Sequence, residues 1–254
     1  MWLFGILEKN WHSIARKSQT AGKPLSSEIA QQLSGLKINE DNVKEVIKKL
    51  ELSEKASHWN DSHILEFVKE IRKISKPIII AANKADLPDS YENIEHMKEQ
   101  FPDMTIIPCS GDSELALREA VNHGMIDYLP GDRDFKIIKT QNEKQKKALS
   151  FIKENVLEPY GSTGVQQVLN SAVFDFLHYV AVFPAGTNKL TDSKGNILPD
   201  CYLMPPNTTA LDFAFKLHTD LGKNFVKAID VKTKKPVGKD YIVKHLDAIE
   251  IVTR

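Results

Sequence analysis

Asn83, Lys84 and Asp86 fall within four residues, directly behind the apolar run Ile78-Ile79-Ile80-Ala81-Ala82. An ionised carboxylate at position 86 can accept two hydrogen bonds from the ring N–H and exocyclic amine of guanine. Adenine lacks that pair of donors, so a site built this way rejects it. Lys84 can lay its aliphatic stem along a base and keep its ammonium in water. Asn83 carries a donor and an acceptor, enough to touch a base edge and tie neighbouring loops together. By chance, three fixed residues in such a window occur about once in tens of chains of this length. The weight therefore comes from position: the loop at the carboxyl end of a parallel strand is where open α/β sheets bind ligands.

A second short run, Ile106-Ile107-Pro108-Cys109, ends in Ser110-Gly111, which lies 24 residues beyond Asp86. By itself this is an ordinary strand-to-helix turn with Asp112 or Ser113 as the helix cap. At this distance behind Asn83–Asp86 it resembles the Ser-Ala turn that nucleotide-binding GTPases place there, whose backbone N–H can reach the guanine oxygen, and the nucleotide reading is expected. The phosphate half of a nucleotide site has no counterpart. A phosphate-cradling loop needs Gly-x-x-x-x-Gly-Lys-Ser/Thr. The three Gly-Lys pairs, at Gly22, Gly222 and Gly238, are followed by Pro24, Asn224 and Asp240. The one Asp-x-x-Gly, Asp192 to Gly195, comes after the base motif rather than before it. No catalytic residue is assigned. The eight His residues show no ligand spacing, and no metal is assigned either.

The elements that must carry these loops read as α/β. Pro77 closes a helix, Ile78–Ala82 forms a strand buried on both faces, and a helix spans Tyr91–Gln100. Met104–Pro108 is a second strand and Glu114–Val121 a further helix. Before them, Leu3, Ile6, Leu7, Trp11 and Ile14 form an amphipathic stretch. Asn39 caps a helix with Val43, Val46, Ile47 and Leu50 on one face. Asp61 or Ser62 caps another, with Ile64, Phe67, Val68 and Ile71 aligned. Residues 141–178 return to helix, broken by the Gly161–Gly164 loop, which supplies a hydroxyl cap. Beyond it, Val165, Val168, Leu169, Ala172, Val173 and Phe176 make one apolar stripe. Strands follow at Tyr179–Phe183, Cys201–Met204, Phe225–Val231 and Ala248–Val252. Asp192–Asn196 is a turn, and Asn207–Leu221 a capped helix. A small sheet with one helix after its first hairpin is the β-grasp plan. On that helix Ala210, Phe213, Ala214, Leu217 and Leu221 share a face. Phe215, off its centre, either meets a partner or widens the buried face.

Composition excludes several classes. The chain has 254 residues, 41% hydrophobic and 27% charged, room for two modest domains or one large one. Its 34 Lys plus Arg balance 34 Asp plus Glu, so no whole-chain polycation exists to hold nucleic acid. The longest apolar run, Pro77–Ala82, is too short to span a bilayer. The first 20 residues place apolar before basic, the wrong order for a secretory signal. Two cysteines, Cys109 and Cys201, make no disulfide framework. A reduced, soluble, cytoplasmic protein without membrane contact is expected.

Taken together, these residues resemble the Obg superfamily of GTPases, most closely the YchF-like branch that ends in a TGS domain. Asn83-Lys84-Ala85-Asp86 matches that family's base-recognition motif, and Ser110-Gly111 with the helix behind it resembles the next motif. Ile126–Asp132 and Tyr160–Gln166 are similar to further family segments. Lys189-Leu190-Thr191-Asp192 and Leu217–Lys223 resemble the TGS hallmark. The resemblance implies a helical insert (1–75), the C-terminal part of a P-loop GTPase domain with its parallel sheet (76–178), and an α+β TGS domain of ubiquitin-like plan (179–254). It implies GTP or GDP as ligand, bound weakly or not at all by this chain alone. Asn83, Lys84, Asp86, Ser110 and Gly111 would select the base. It implies magnesium-supported GTP hydrolysis only in an intact protein, whose phosphate-binding and switch motifs precede the insert; Met1 is accordingly expected to be an internal start. The usual Ala after Ser is here Gly111, and some relatives carry a different base motif and prefer ATP. The last segment holds eleven Lys/Arg against eight Asp/Glu. Lys232, Lys234, Lys235, Lys239 and Lys244 are its candidate surface for ribosome or RNA phosphates. The competing expectation is a stand-alone RNA- or ribosome-binding adaptor with no nucleotide function.

Overall fold

The computed structural model describes every residue except 1, 21, 37, 141, 188, 189, 192–194, 198 and 199. Most of the expected turn at Asp192–Asn196, and Lys189 and Asp192 of the TGS-like hallmark, lie outside the described residues. The chain forms two compact units, Met1–Ile78 and Ile79–Arg254.

The first unit is helical: α1 (Trp2–Thr20), α2 (Leu25–Gln32), α3 (Glu40–Lys49) and α4 (Asp61–Ser75). Asn39 caps α3 by accepting from the Asn42 N–H, and the Asn42 side chain returns the bond. Such reciprocal caps satisfy two helix-end donors that would otherwise be orphaned. The same device starts α4, but its cap is Asn60, paired with His63, and not Asp61 or Ser62. Asn60 holds the extended position that flanks the helix, whereas Asp61 is already its first helical residue and serves the helix dipole. The stripes converge on Leu7, Val43, Val46, Ile64, Phe67 and Ile71, all buried. Trp59 stacks on Trp11 at 5.1 Å and meets Phe67 at 5.3 Å.

The second unit opens with β1 (Ile79–Ala82), α5 (Ser90–Gln100), β2 (Thr105–Pro108) and α6 (Gly111–Asn122). β1 and β2 are parallel, Ile79 opposite Thr105 and Ala82 opposite Pro108. β1 is not buried on both faces. Ile78 precedes the strand and is 45% exposed, Ala81 is exposed, and the others are half-buried. Its sheet contains two strands among the described residues, so only one edge of β1 has a partner. A short hairpin, β3 (Ile126–Asp127) with β4 (Lys136–Ile137), was not expected from the sequence. Helix α7 (Glu143–Ile152) continues through a π turn (Lys153–Leu157) into α8 (Glu158–Tyr160). Helix α9 (Val165–Asn170) runs into a second π turn (Ser171–Phe176). The π turns shift the side-chain phase. The expected stripe from Val165 to Phe176 is only half-buried, and Leu169, which precedes the second π turn, is exposed.

The last part is a five-stranded sheet of β5 (Val180–Pro184), β6 (Tyr202–Met204), β7 (Phe225–Asp230), β8 (Lys235–Val237) and β9 (Asp247–Thr253), in order β6-β5-β9-β7-β8. Parallel β5 and β9 sit centrally and every other pairing is antiparallel, the β-grasp arrangement. The expected single helix is two, α10 (Ala210–Leu217) and α11 (Thr219–Lys223), because His218 between them is extended. Thr209, not Asn207, caps α10. Ala210 and Phe213 are fully buried in one core with Val182, Ala228 and Ile249 of the sheet, and Ala214 is fully buried as well. Phe215 is half-exposed and lies over Gly222, where a Cβ would fall 2.3 Å from its ring. Among the described residues no helix is long and apolar enough to cross a membrane.

Phe67 has no exposed surface and meets Trp59, which stacks on Trp11. Phe67→Ala is expected to destabilise the helical unit by about 3–5 kcal/mol, measured as a lowered urea midpoint of far-UV circular dichroism.

Candidate functional site

Parallel pairing brings the carboxyl ends of β1 and β2 side by side, and backbone bonds carry the register past the strands. Cys109 N–H donates to the Ala82 carbonyl at 2.9 Å, and Ala85 N–H to the Cys109 carbonyl at 2.8 Å. The loops 83–86 and 110–111 thus leave one sheet edge in contact. Gly111 N–H donates to Asn83 Oδ1 at 3.1 Å, so Asn83 ties the two loops together. Ser110, with no exposed surface, donates its hydroxyl to Asp86 Oδ1 at 2.7 Å. The Asp86 carboxylate is half-exposed. Among the described residues, Oδ2 receives no hydrogen bond. Lys84 is exposed and holds a left-handed backbone at φ 67°. That conformation costs a non-glycine residue about 1–3 kcal/mol and clusters at functional loops. All five base-site candidates therefore meet in one place, with Asp86 aimed by Ser110.

Ser110 also caps α6, accepting from Ser113 N–H at 3.3 Å. The ordinary-turn expectation of a cap at Asp112 or Ser113 is replaced by a residue that serves both helix and loop, and α6 begins three residues earlier than expected. Beneath the turn lies a group that sequence reasoning missed. Glu114 is only 4% exposed. Its Oε1 accepts from Arg118 Nε at 2.6 Å, and its Oε2 from Thr163 Oγ1 at 2.7 Å and Tyr128 OH at 2.8 Å. Burial pushes the Glu114 carboxyl up, but these three donors outweigh it and hold it below the ordinary value. Burial first, and then the bond to Glu114, pushes the Tyr128 phenol up to about 12. Thr163 does not cap α9. The cap position is Gly164, which makes no side-chain cap bond, and its N–H donates to Ser162 Oγ at 3.1 Å. No spacing rule links residues 114 and 163; the only local hint is a Gly at 164.

Lys232, Lys234 and Lys235 lie on the β7–β8 turn and the start of β8. Lys239 and Lys244 flank the segment that pairs with the start of α10, where Ala210 N–H donates to the Tyr241 carbonyl. All five are exposed. Among the described residues no three His, Cys, Asp or Glu stand close enough to hold a metal ion.

Residues 81–186 match the family described as Obg-like GTPase YGR210-like, G4 motif-containing domain, and residues 188–253 match the TGS domain. The chain is 39% identical to the crystal structure of a GTP binding protein from Pyrococcus horikoshii, with TM-score 0.69, covering 100% of this chain and 68% of that one. It belongs to the Obg-type GTPases that end in a TGS domain. An uncharacterized GTP-binding protein of Methanocaldococcus jannaschii, MJ1332, is 44% identical over all of this chain and 64% of its own length. C428.15, an uncharacterized GTP-binding protein of Schizosaccharomyces pombe, is 28% identical over 82% of this chain and 53% of its own length. The chain thus spans between about half and two thirds of the curated relatives it matches. The match to the G4 motif-containing domain opens at Ala81, two residues before Asn83 in this Obg-type chain.

Two glycines of these loops should respond oppositely to a methyl group. A Cβ at Gly111 would meet Asn83 Oδ1 at 3.6 Å, ordinary contact, whereas one at Gly164, where φ is +77°, would lie 1.8 Å from the Pro108 carbonyl oxygen. In chemical denaturation, Gly111→Ala is expected to be neutral or to gain about 0.5–1 kcal/mol. Gly164→Ala is expected to lose more than about 1–2 kcal/mol, the cost of the left-handed backbone alone.

Proposed function

We propose that the two loops at the β1–β2 edge read the guanine base of GTP or GDP. Asp86 accepts from the ring N–H and the 2-amino group, Lys84 covers a base face, and Asn83 with the Ser110–Gly111 turn holds the frame. The observation that supports this best is the 2.7 Å bond from the buried Ser110 hydroxyl to Asp86 Oδ1, with Oδ2 left open. Asp86 is thereby held in one orientation before any ligand arrives, which lowers the ordering cost of recognition. In this reading the chain is a helical insert (1–75), the base-reading part of a GTPase domain (76–178) and a TGS domain (179–254). Hydrolysis by water attack on the γ-phosphate needs groups that grip phosphate, hold magnesium and place water. We assign none of these to this chain, so alone it binds guanine nucleotide weakly and does not hydrolyse it. The TGS domain offers Lys232, Lys234, Lys235, Lys239 and Lys244 to RNA or ribosome phosphates, and the two unpaired cysteines suit the cytoplasm.

Titration with fluorescent GDP and ADP tests the base reading. Asp86→Ala is expected to weaken GDP at least about tenfold, the loss of a charge-assisted hydrogen bond, and to leave ADP unchanged. Asp86→Asn is expected to turn the preference toward xanthosine diphosphate, whose 2-carbonyl accepts from the new amide. Equal binding of GDP and ADP by the unaltered chain would refute base reading; RNA binding alone would then leave the adaptor function.

For the TGS surface, each of Lys232→Ala, Lys234→Ala and Lys235→Ala is expected to weaken RNA binding. Each should also flatten the plot of log affinity against log salt by about 0.7–0.9 for every phosphate left unneutralised. An unaltered slope in the triple variant would exclude the β7–β8 turn from the interface.

A further inference from the structure

The turn that presents Ser110 and Gly111 is closed into a ring by a segment more than fifty residues later in the chain. Ser110 N–H donates to the Thr163 carbonyl at 2.9 Å. Thr163, with no exposed surface, donates Oγ1 to Glu114 Oε2 at 2.7 Å. Glu114 N–H donates back to the Ser110 carbonyl at 3.1 Å. The loop bearing Thr163 is pressed onto the end of β2 so closely that Gly164 has no room for a Cβ beside the Pro108 carbonyl.

A carboxylate buried on a helix is a costly way to stabilise it, because a well-packed apolar residue of similar size commonly does as well or better. What a carboxylate adds is direction. Glu114 accepts from three fixed donors, on Thr163, Tyr128 and Arg118, and so sets where the Thr163 backbone stands. The Thr163 carbonyl in turn sets the Ser110 N–H, and the Ser110 hydroxyl orients Asp86. An apolar pair at 114 and 163 would fill the same space and leave the turn free to slide.

We propose that Glu114 and Thr163 are positioning residues for guanine recognition, acting through this closed ring on the Ser110–Gly111 turn and through it on Asp86. The assignment rests on the base-reading function proposed above. Neither residue touches the base. Their effect falls on discrimination between bases more than on overall affinity. A small displacement of the turn changes whether Asp86 meets both donors of guanine squarely, while contacts to sugar and base face tolerate it.

The test compares, in the full chain, Thr163→Val, Thr163→Ser, Glu114→Gln and Leu117→Ala. Leu117 is fully buried on the same helix and outside the ring, so its truncation supplies loss of stability without loss of a ring bond. Two quantities are read. One is the ratio of affinities for fluorescent GDP and for the inosine analogue, which lacks the 2-amino group. The other is hydrogen exchange of the Ser110 and Gly111 amides by NMR, which needs no nucleotide. Thr163→Val and Glu114→Gln are expected to cut the ratio about five- to tenfold, the scale of one hydrogen bond. They should also speed exchange of both amides about tenfold, with Thr163→Ser restoring both readouts. If Thr163→Val matches Leu117→Ala in both, the ring is structural only and the assignment falls. If the unaltered chain does not prefer GDP to the inosine analogue, reading of the 2-amino group fails instead, and amide exchange still decides whether the ring positions the turn.

Discussion

Everything at the candidate site depends on the parallel register of β1 and β2. Two parallel strands end on the same side of a sheet, so the loops after them must emerge together. Had the strands paired antiparallel, Asp86 and Ser110 would lie at opposite ends. The register alone brings the loops to the same edge; the bonds from Cys109 N–H to Ala82 and from Ala85 N–H to Cys109 extend it one residue beyond β2 and three beyond β1. By that point Asn83 is near enough to accept from Gly111 N–H and Ser110 near enough to donate to Asp86. A pair of four-residue strands thereby specifies side-chain positions to hydrogen-bonding distance.

Two costs are concentrated at this edge. Lys84 holds a left-handed backbone, and Glu114 keeps a carboxylate out of water. Each is a local conflict of the kind found where function, not stability, selects the residue. The first bends the chain so that Ala85 turns inward, buried, while Lys84 and Asp86 face outward. The second is offset by three donors and by the helix dipole at the first turn of α6, which favours negative charge there. Because those donors come from three segments, the expense purchases agreement among parts of the chain that no single strand could align.

Short-range features of the fold were legible because their causes are short-range. The Asn39 cap, the three apolar stripes of α1, α3 and α4 and the strand–loop–helix order around Asp86 each follow from residues within one or two turns; α2 was not among them. The β-grasp plan was legible from strand spacing and one capped helix, although the break at His218 was not. Burial of β1 was misjudged. An all-apolar run states that a strand can be covered on both faces, and whether it is covered depends on neighbours that the run does not encode. In the sequence Glu114 is only the first residue of an expected helix, since a buried and an exposed Glu look alike until the partners are known. Its partner Thr163 lies 49 residues away. The π turns were hidden for a related reason: apolar residues recur at helical spacing on both sides, and nothing in that spacing marks the extra residue of a π turn.

Selectivity and affinity for a nucleotide come from different atoms. In the proposed reading, Asp86 and the turn that bonds to it distinguish one base edge from another. Phosphates contribute charge that any base shares, so phosphate contacts raise affinity without discriminating. The chain has no Gly-x-x-x-x-Gly-Lys-Ser/Thr sequence. The ratio between two bases is then the proper measure of whether the β1–β2 edge is a site, and absolute affinity is not. A weak but strongly base-dependent interaction would identify these loops as a recognition element already formed without a phosphate grip. That is the behaviour expected of side chains held by Ser110, Asn83 and the Glu114–Thr163 ring rather than by the ligand itself.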